Sequence, residues 1–244
     1  LDAVADAGDF EEALNELRRE DREVWFRISC RLLLQHSTVR DASRAYTELA
    51  DTGIEASLGI AAQEMVARHG TMEGGIAVIG MGRLGAGGLT ATSDLDLIFV
   101  YEAPGGARST GHGALDSTTW YTRYVRRVIT ALSAVTEEGE LYDIDMALRP
   151  SGGAGPAAVS LGAFDKYYEN DAWVWEEMAL VKARVVGGND DLAERLEKRI
   201  NAILTRQRDA VVTAQAVTDM RVRLLAAKPA RSALDVKRVH GGLT

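Results

Sequence analysis

A glycine-rich turn followed by two closely spaced aspartates constrains this chain more than any other feature of its sequence. The turn reads GMGRLG at residues 80–85, and Asp94 and Asp96 stand at the start of an apolar run that continues to Tyr101. Side chains two residues apart on an extended strand point to the same side of a sheet. The spacing therefore predicts that Asp94 and Asp96 present their carboxylates side by side at the beginning of a strand.

Paired carboxylates of this kind are suited to a divalent cation. Mg²⁺ prefers oxygen ligands and usually takes one or two carboxylates together with substrate phosphates. A third carboxylate is available at Asp145, on a separate predicted strand, and Asp143 on the same face is the less favoured choice. Such a set could hold two Mg²⁺ ions roughly 3.5–4 Å apart, one activating an attacking hydroxyl and the other holding a triphosphate. The pattern indicates a metal-assisted nucleotide enzyme whose catalytic and metal-binding residues are Asp94, Asp96 and Asp145.

The same glycines also match the G-x-G-x-x-G pattern of dinucleotide-binding proteins. That pattern requires a helix that opens at the third glycine and an acidic residue about 20 positions further on. Gly87 and Gly88 follow Gly85 at once, which argues against such a helix. We therefore disfavour an NAD site.

Helical periodicity dominates both ends of the chain, and strand-length apolar runs lie between them. Because strands do not alternate regularly with crossover helices, a doubly wound sheet is not expected. We predict an α+β fold with a small mixed sheet, divided into segments 1–70, 71–158 and 159–244. Ser160 is predicted to cap the helix that follows it. The predicted strands cover residues 75–79, 94–101, 140–148 and 234–239. Residues from about 9 to 68 are predicted to be helical, with the second helical run over residues 41–69, and further helices are predicted over residues 115–135, 161–168, 172–185, 190–205 and 209–228.

Composition excludes several classes of protein. The 244 residues include 28 Lys and Arg against 36 Asp and Glu, a net charge of −8 that argues against a nucleic-acid binder. The sequence contains no run of about 18 apolar residues, so we predict no membrane span. Cys30 is the only cysteine, so no intrachain disulfide can form, and a cytoplasmic location is expected. A start without Met and an end without a closing element suggest a fragment of a longer protein.

The glycine turn and the aspartate strand resemble the motif of the polymerase-β-like nucleotidyltransferases, and more narrowly that of the glutamine synthetase adenylyltransferase family. Further stretches at residues 141–152, 172–185 and 234–243 resemble blocks of the same family. The resemblance covers residues 75–244. It implies an α+β fold with a polymerase-β-like nucleotidyltransferase core, flanked by N- and C-terminal helical segments, and a cytoplasmic enzyme that uses ATP and Mg²⁺.

Enzymes of that family carry two related catalytic halves. One half attaches AMP to a tyrosine of glutamine synthetase and releases pyrophosphate, and the other removes the AMP by phosphorolysis to give ADP. The stretches at residues 149–152 and 172–176 are more like the adenylylating half, which we favour. The deadenylylating half stays open, as does a non-catalytic regulatory or docking fragment, although the three retained aspartates speak against the latter. In the whole family protein the activity responds to glutamine and the PII signal protein, so glutamine synthetase and PII are the implied partners.

The resemblance also assigns individual positions. Gly82 and Ser93 match the turn that holds the nucleotide phosphates through backbone N–H groups and a hydroxyl. Arg149 is retained as a nucleotide contact, whereas Ala147 stands where the family often has an arginine. The positions that match the metal-binding pair and the third acidic residue of the family are Asp94, Asp96 and Asp145.

Three basic residues have two possible roles. Lys182 and Arg184 are expected to cap the end of the helix over residues 172–185 or to stay solvated, with phosphate contact as the alternative. Lys237 is expected to be a solvated strand lysine, with a role in the active site as the alternative.

Overall fold

The computed structural model describes residues 10–227 and Ser232, with a small sheet between helical ends. The helices are α1 (Phe10–Leu33), α2 (Val39–His69), α3 (Gly82–Gly85), α4 (Ser117–Ser133), α5 (Leu161–Asn170), α6 (Val174–Ala179), α7 (Asp190–Thr205) and α8 (Ala210–Ala227), and the strands are β1 (Gly75–Gly80), β2 (Leu95–Glu102), β3 (Ile144–Asp145), β4 (Ala158–Ser160) and β5 (Arg184–Gly188).

The long helix α2 begins at a reciprocal cap. The Thr38 hydroxyl accepts a hydrogen bond from Asp41 N at 3.2 Å, and the Asp41 carboxylate accepts one from Thr38 N at 3.2 Å. This pair satisfies N–H groups that a helix start otherwise leaves without partners. The helix predicted over residues 41–69 is confirmed.

The described strands form one mixed sheet. Its order is β3-β2-β1-β5, and β4 pairs with β2. β1 is antiparallel to β2 and to β5, whereas β2 is parallel to β3 and to β4. The central strands β1 and β2 are almost entirely buried, as expected of strands covered on both faces. The prediction of an α+β fold with a small mixed sheet is confirmed.

Different helices cover the two faces of the sheet. Leu97 and Phe99 of β2 pack with residues of α2 and α4, whereas Ile98 packs with residues of α5 and α7. Because side chains alternate along a strand, Asp94 and Asp96 share the face of Ile98. The acidic pair therefore lies at the start of β2, on the face covered by α5 and α7.

The helix predicted over residues 172–185 is wrong in its second half. α6 ends at Ala179, and residues 184–188 form β5 against β1. Gly188 has a φ of +107°, and a Cβ at this position would overlap Ile76 O. The glycine thus permits close strand packing, which only that residue type allows in this backbone conformation. Pairing with β1 decides the structure here, because strand formation depends on the neighbouring strand more than on local pattern.

The other strands also differ from the prediction. β3 covers only Ile144–Asp145 instead of residues 140–148, because the chain turns immediately afterwards. β4 is absent from the sequence-based prediction. Ser160 ends β4 and caps α5, where its Oγ accepts a hydrogen bond from Ala163 N at 3.2 Å, as predicted.

The division into segments 1–70, 71–158 and 159–244 stays a prediction. β5 belongs to the third segment by sequence, yet it pairs with β1 of the second. The strand predicted over residues 234–239, including Lys237, lies outside the described residues. Of the helices in the described part of the chain, none is both long and apolar enough to cross a membrane.

Candidate functional site

Asp96 and Asp145 stand opposite each other on neighbouring strands. β2 and β3 run parallel, with Asp96 in register with Asp145 and Leu95 with Ile144. Leu95 N donates to Asp143 O at 2.9 Å where the strands meet. Neighbouring strands lie about 4.8 Å apart, and residues in register share a face. The structure brings Asp145 beside Asp96, whereas the roles predicted for both residues in metal binding and catalysis stay predictions.

Asp94, Asp96 and Asp145 together form the acidic edge of the sheet, to which Asp94 contributes from the residue before β2. Asp94 lies two positions before Asp96 in the chain. Asp94 and Asp145 are exposed, whereas Asp96 is half-buried. Asp145 Oδ1 accepts a hydrogen bond from Ala147 N at 2.7 Å, which fixes the start of the following turn. Asp143, the less favoured third carboxylate, is also exposed. Three of these four aspartates are therefore exposed at the end of the sheet where β2 and β3 begin, and Asp96 is the half-buried one.

The glycine turn packs directly against Asp96. Met81 N donates to Asp96 O at 2.9 Å, Gly82 has a φ of +53°, and a Cβ at position 82 would overlap Asp96 Oδ2. Glycine alone combines a left-handed backbone with so close an approach. The short helix α3 ends at Gly85 instead of opening there, so the helix that a dinucleotide fingerprint requires does not follow this turn.

A further set of contacts holds the turn from the side of β5. A Cβ at Gly85 would overlap Lys182 O, so the two backbones touch. Arg184 Nη2 donates to Leu84 O at 3.3 Å and to Asp51 Oδ1 at 3.0 Å, which ties β5 to the turn and to α2. The prediction that Arg184 caps a helix is wrong, because the residue lies in a strand. Sequence reasoning missed this role since it depends on the pairing of β5.

Ser93 closes the turn that leads into β2. Its Oγ accepts a hydrogen bond from Thr90 N at 3.0 Å and lies 2.8 Å from Thr90 Oγ1. Arg83 Nη1 lies 3.4 Å from the same oxygen. Its guanidinium therefore contacts the residue that directly precedes Asp94 in the chain. The phosphate contacts predicted for Gly82 and Ser93 stay predictions.

Arg149 organises the loop that follows Asp145. Its Nη1 donates to Met146 O at 2.8 Å, its Nε to Gly155 O at 3.2 Å, and its Nη2 to the carbonyls of Gly153 and Gly155 at 3.1 Å each. These bonds occupy most of the five N–H donors of a guanidinium. The nucleotide contact predicted for Arg149 stays a prediction.

A carboxyl with a shifted pKa contacts Tyr142, two residues before β3. Tyr142 Oη donates to Asp21 Oδ1 at 3.1 Å. Burial raises the pKa of Asp21 to about 6, and the hydrogen bond from Tyr142 acts in the opposite direction. Burial and the charge of Asp21 together raise the pKa of Tyr142 far above its usual value. Sequence reasoning missed this pair because its members lie 121 positions apart and no local pattern connects them.

The carboxylates of the acidic edge supply some, but not all, of the ligands that Mg²⁺ needs. Within residues 10–227 and Ser232, no group of three or more His, Cys, Asp or Glu side chains is arranged to hold a metal ion. Mg²⁺ needs only one or two carboxylates when water and phosphate oxygens complete its shell. Gly82 leaves room beside Asp96 Oδ2 that a side chain would fill. The donor set of Asp96 and Asp145 thus suits an ion that arrives with a phosphate-bearing substrate.

Comparison with known proteins identifies relatives of the chain. A family model described as glutamate-ammonia ligase adenylyltransferase matches residues 1–199. The chain is 44% identical over 236 residues to the bifunctional glutamine synthetase adenylyltransferase/adenylyl-removing enzyme of Mesorhizobium japonicum, covering 96% of this chain and 24% of that protein. It is 44% identical over 242 residues to the protein of the same name from Agrobacterium fabrum, covering 98% and 24%. The chain spans about a quarter of the length of the curated relatives it matches.

Proposed function

Because the chain belongs to the glutamate-ammonia ligase adenylyltransferase family, we propose that it transfers AMP from ATP to a tyrosine of glutamine synthetase and releases pyrophosphate. The names of the relatives include this activity. The observation that carries the proposal is the register of Asp96 with Asp145 beside the glycine turn. That arrangement offers carboxylates on one face of a sheet and a backbone turn that a phosphate group can approach.

We assign the sheet and the turn to the polymerase-β-like nucleotidyltransferase fold. Two antiparallel central strands joined through a glycine turn, with aspartates at the start of the second strand, support this assignment. The catalytic core then occupies residues 71–158, with helical segments at residues 1–70 and 159–244. β5 extends the core sheet from the C-terminal segment.

The residues of the chain position the reactants in this mechanism. Asp94, Asp96 and Asp145 hold Mg²⁺, which when bound supplies positive charge that neutralises the triphosphate. The turn at Gly82 and the hydroxyl of Ser93 bind phosphate oxygens. The tyrosine oxygen attacks the α-phosphorus of ATP, the bond from that phosphorus to the bridging oxygen of the β-phosphate breaks, and the hydroxyl proton passes to solvent. Catalysis comes from orientation and charge stabilisation.

Removal of AMP from the tyrosine by phosphorolysis is the second candidate function. The relatives are named as both adenylyltransferases and adenylyl-removing enzymes, and the chain covers about a quarter of them. In the alternative, inorganic phosphate attacks the phosphorus of AMP-tyrosine, ADP forms, and the tyrosine hydroxyl is released. The same acidic edge serves either reaction, and the stretches at residues 149–152 and 172–176 favour the adenylylating one.

Paired assays separate these reactions. In the first, the chain is incubated with Mg²⁺, unmodified glutamine synthetase and ATP labelled in its α-phosphate. In the second, it is offered adenylylated glutamine synthetase with Mg²⁺ and inorganic phosphate. Label transfer in the first assay alone is the expected result. ADP formation in the second assay alone would replace our proposal by the deadenylylating function.

An inactive chain would need a different explanation. Nucleotide binding without turnover in either assay would favour a regulatory or docking fragment. Asp96→Asn provides the control, because it removes the charge of one proposed ligand while keeping the side-chain shape. Transfer that persists unchanged in this variant would exclude Asp96 from the mechanism.

The partners follow from the same proposal. Glutamine synthetase is the protein substrate, and the reaction regulates nitrogen assimilation in the cytoplasm. Contact with PII belongs to the whole protein. We propose no nucleic acid or membrane as a partner.

A further inference from the structure

We propose that a groove between α2 and α4 binds a small molecule that carries two or more oxyanion groups. This arginine groove is formed by Arg68 at the end of α2 and by Arg123, Arg126 and Arg127 on α4. Its volume is about 460 Å³, within the range of pockets that hold small ligands. α2 and α4 cover one face of the sheet, whereas the acidic edge belongs to the other, so the groove is separate from the candidate catalytic site.

The positive charge of the groove contrasts with the charge of the whole chain, which is −8. Glu64 is the carboxylate that pairs with the groove, at 2.8 Å from Arg68 Nη2 and 3.5 Å from Arg127 Nε. No ion pair joins Arg123 or Arg126 to an acidic residue in the part of the chain that the structure describes. Four arginines and one glutamate leave 4 − 1 = +3 in the groove.

Two of the arginines, Arg68 and Arg127, pair with Glu64 before any ligand arrives. The Glu64 side chain is only 9% exposed, and its carboxylate lies beside the guanidinium groups of both Arg68 and Arg127. Arg123 and Arg127 are four residues apart on α4 and Arg126 lies three residues beyond Arg123, so all of them share one side of the helix. The ordering cost that flexible side chains add to binding is thereby reduced.

Several carbonyls at the end of α2 accept hydrogen bonds from within the fold. Gly70 N donates to Val66 O at 2.9 Å, and Gly111 N donates to His69 O at 3.0 Å. Trp120 Nε1 donates to Gly70 O at 3.2 Å. These donors satisfy acceptors that a helix C-terminus otherwise exposes. Arg123 Nη1 also lies 3.3 Å from His69 Nε2, which keeps its guanidinium at the groove.

The chemistry of the groove favours multivalent oxyanions. All four of its cationic side chains are arginines, whose planar guanidinium groups bind carboxylate or phosphate through two parallel hydrogen bonds. A single oxyanion can engage only part of such a set. A ligand with several phosphate or carboxylate groups matches both the volume and the charge of +3.

Calorimetric titration of the chain tests this proposal. The probes are sodium tripolyphosphate and citrate, each in buffer passed over a chelating resin, which removes the divalent cations that the candidate catalytic site requires without adding a soluble polycarboxylate. We expect saturable binding at one site, and the tighter probe identifies phosphate or carboxylate as the preferred group. Arg123→Gln/Arg126→Gln should weaken binding about tenfold or more, because charge-assisted hydrogen bonds are lost.

A charge-matched pair of variants controls for general attraction. Arg40→Gln/Arg44→Gln removes the same charge near the start of α2, roughly 36 Å along the helix from Arg68. It should leave the affinity within about twofold. If Arg123→Gln/Arg126→Gln alters the circular dichroism melt, the single exposed variant Arg126→Gln is compared instead.

Three outcomes would overturn the proposal. The first is no saturable binding of either probe, and the second is an equal loss of affinity in both double variants. The third is binding of poly-L-glutamate without binding of either small anion, which would make the groove a docking surface for an acidic polypeptide.

Discussion

A Cβ at Gly82 would overlap Oδ2 of Asp96, so the glycine turn and the acidic strand are in direct contact. The backbone N of Met81 donates to Asp96 O at 2.9 Å and joins the same two elements. The position of the Asp96 carboxylate is thus determined by the turn as well as by its own strand. A substitution in the turn should therefore affect the acidic edge without altering any carboxylate.

Gly82→Ala should lower AMP transfer about 100-fold, because a displacement of about 1 Å in reacting groups has consequences of this size. Its left-handed φ of +53° should also cost about 1–2 kcal/mol of unfolding free energy. Gly87→Ala is the matched control, since Gly87 has a φ of +69° and a Cβ there meets no atom within 4 Å. We expect similar destabilisation by chemical denaturation but nearly full activity for Gly87→Ala. Equal activity losses in both variants would refute the role of the Asp96 contact.

Asp145→Asn and Asp143→Asn distinguish the candidate third carboxylates. Asp145 is in register with Asp96, and its removal should reduce transfer by about 100-fold or more, because a metal ligand contributes several kcal/mol of charge stabilisation. Asp143→Asn should leave the rate within about threefold, as expected of an exposed substitution outside the ligand set. The reverse order of the two rates would assign the third position to Asp143.

Arg184→Met tests whether the contact from β5 positions the glycine turn. It removes the bonds to Leu84 O and Asp51, so kcat/KM should fall about tenfold, with a loss of about 1–2 kcal/mol in unfolding free energy. Arg44→Met breaks an exposed pair with Glu48 on α2 and should change stability by less than about 0.5 kcal/mol. Full activity in Arg184→Met would show that the turn holds its shape without β5.

Asp21 should make stability decrease as the pH rises. Burial raises its pKa to about 6 from the ordinary value of 3.8, so between these pH values the folded state binds more protons than the unfolded state. Because the slope of unfolding free energy with pH follows the protons bound by the unfolded minus the folded state, the slope is negative in that window. Asp21→Asn should therefore stabilise the chain at pH 7.5 by about 1–3 kcal/mol and have little effect near pH 4.

Denaturant unfolding at pH 4 and pH 7.5 measures that difference. Asp41→Asn is the contrasting variant, because hydrogen bonds from Thr38 lower the pKa of Asp41. Its ionised form stabilises the fold, so this substitution should destabilise the chain at both pH 7.5 and pH 4, and its effect should disappear only as the pH falls through the lowered pKa of Asp41. An Asp21→Asn effect that does not vary with pH would contradict the raised pKa.

Much of the candidate site is predictable from short segments of sequence. Because side chains alternate along a strand, Asp94 and Asp96 lie on one face, and the glycines predict a turn with unusual backbone angles. The capping residues Thr38 and Ser160 similarly act on neighbours three positions away. Arg149 shows the limit of such reasoning, since its bonds to a loop depend on how residues 146–155 fold back.

By itself, the sequence determined the long helices, the glycine turn and the common face of Asp94 and Asp96, because helix periodicity, strand alternation and glycine geometry act within a few residues. Tertiary structure alone decided that residues 184–188 form a strand, that Asp145 stands in register with Asp96, and that Asp21 meets Tyr142. These relationships join segments far apart in the chain. Their energies come from pairing and burial in the assembled sheet, which no local pattern encodes.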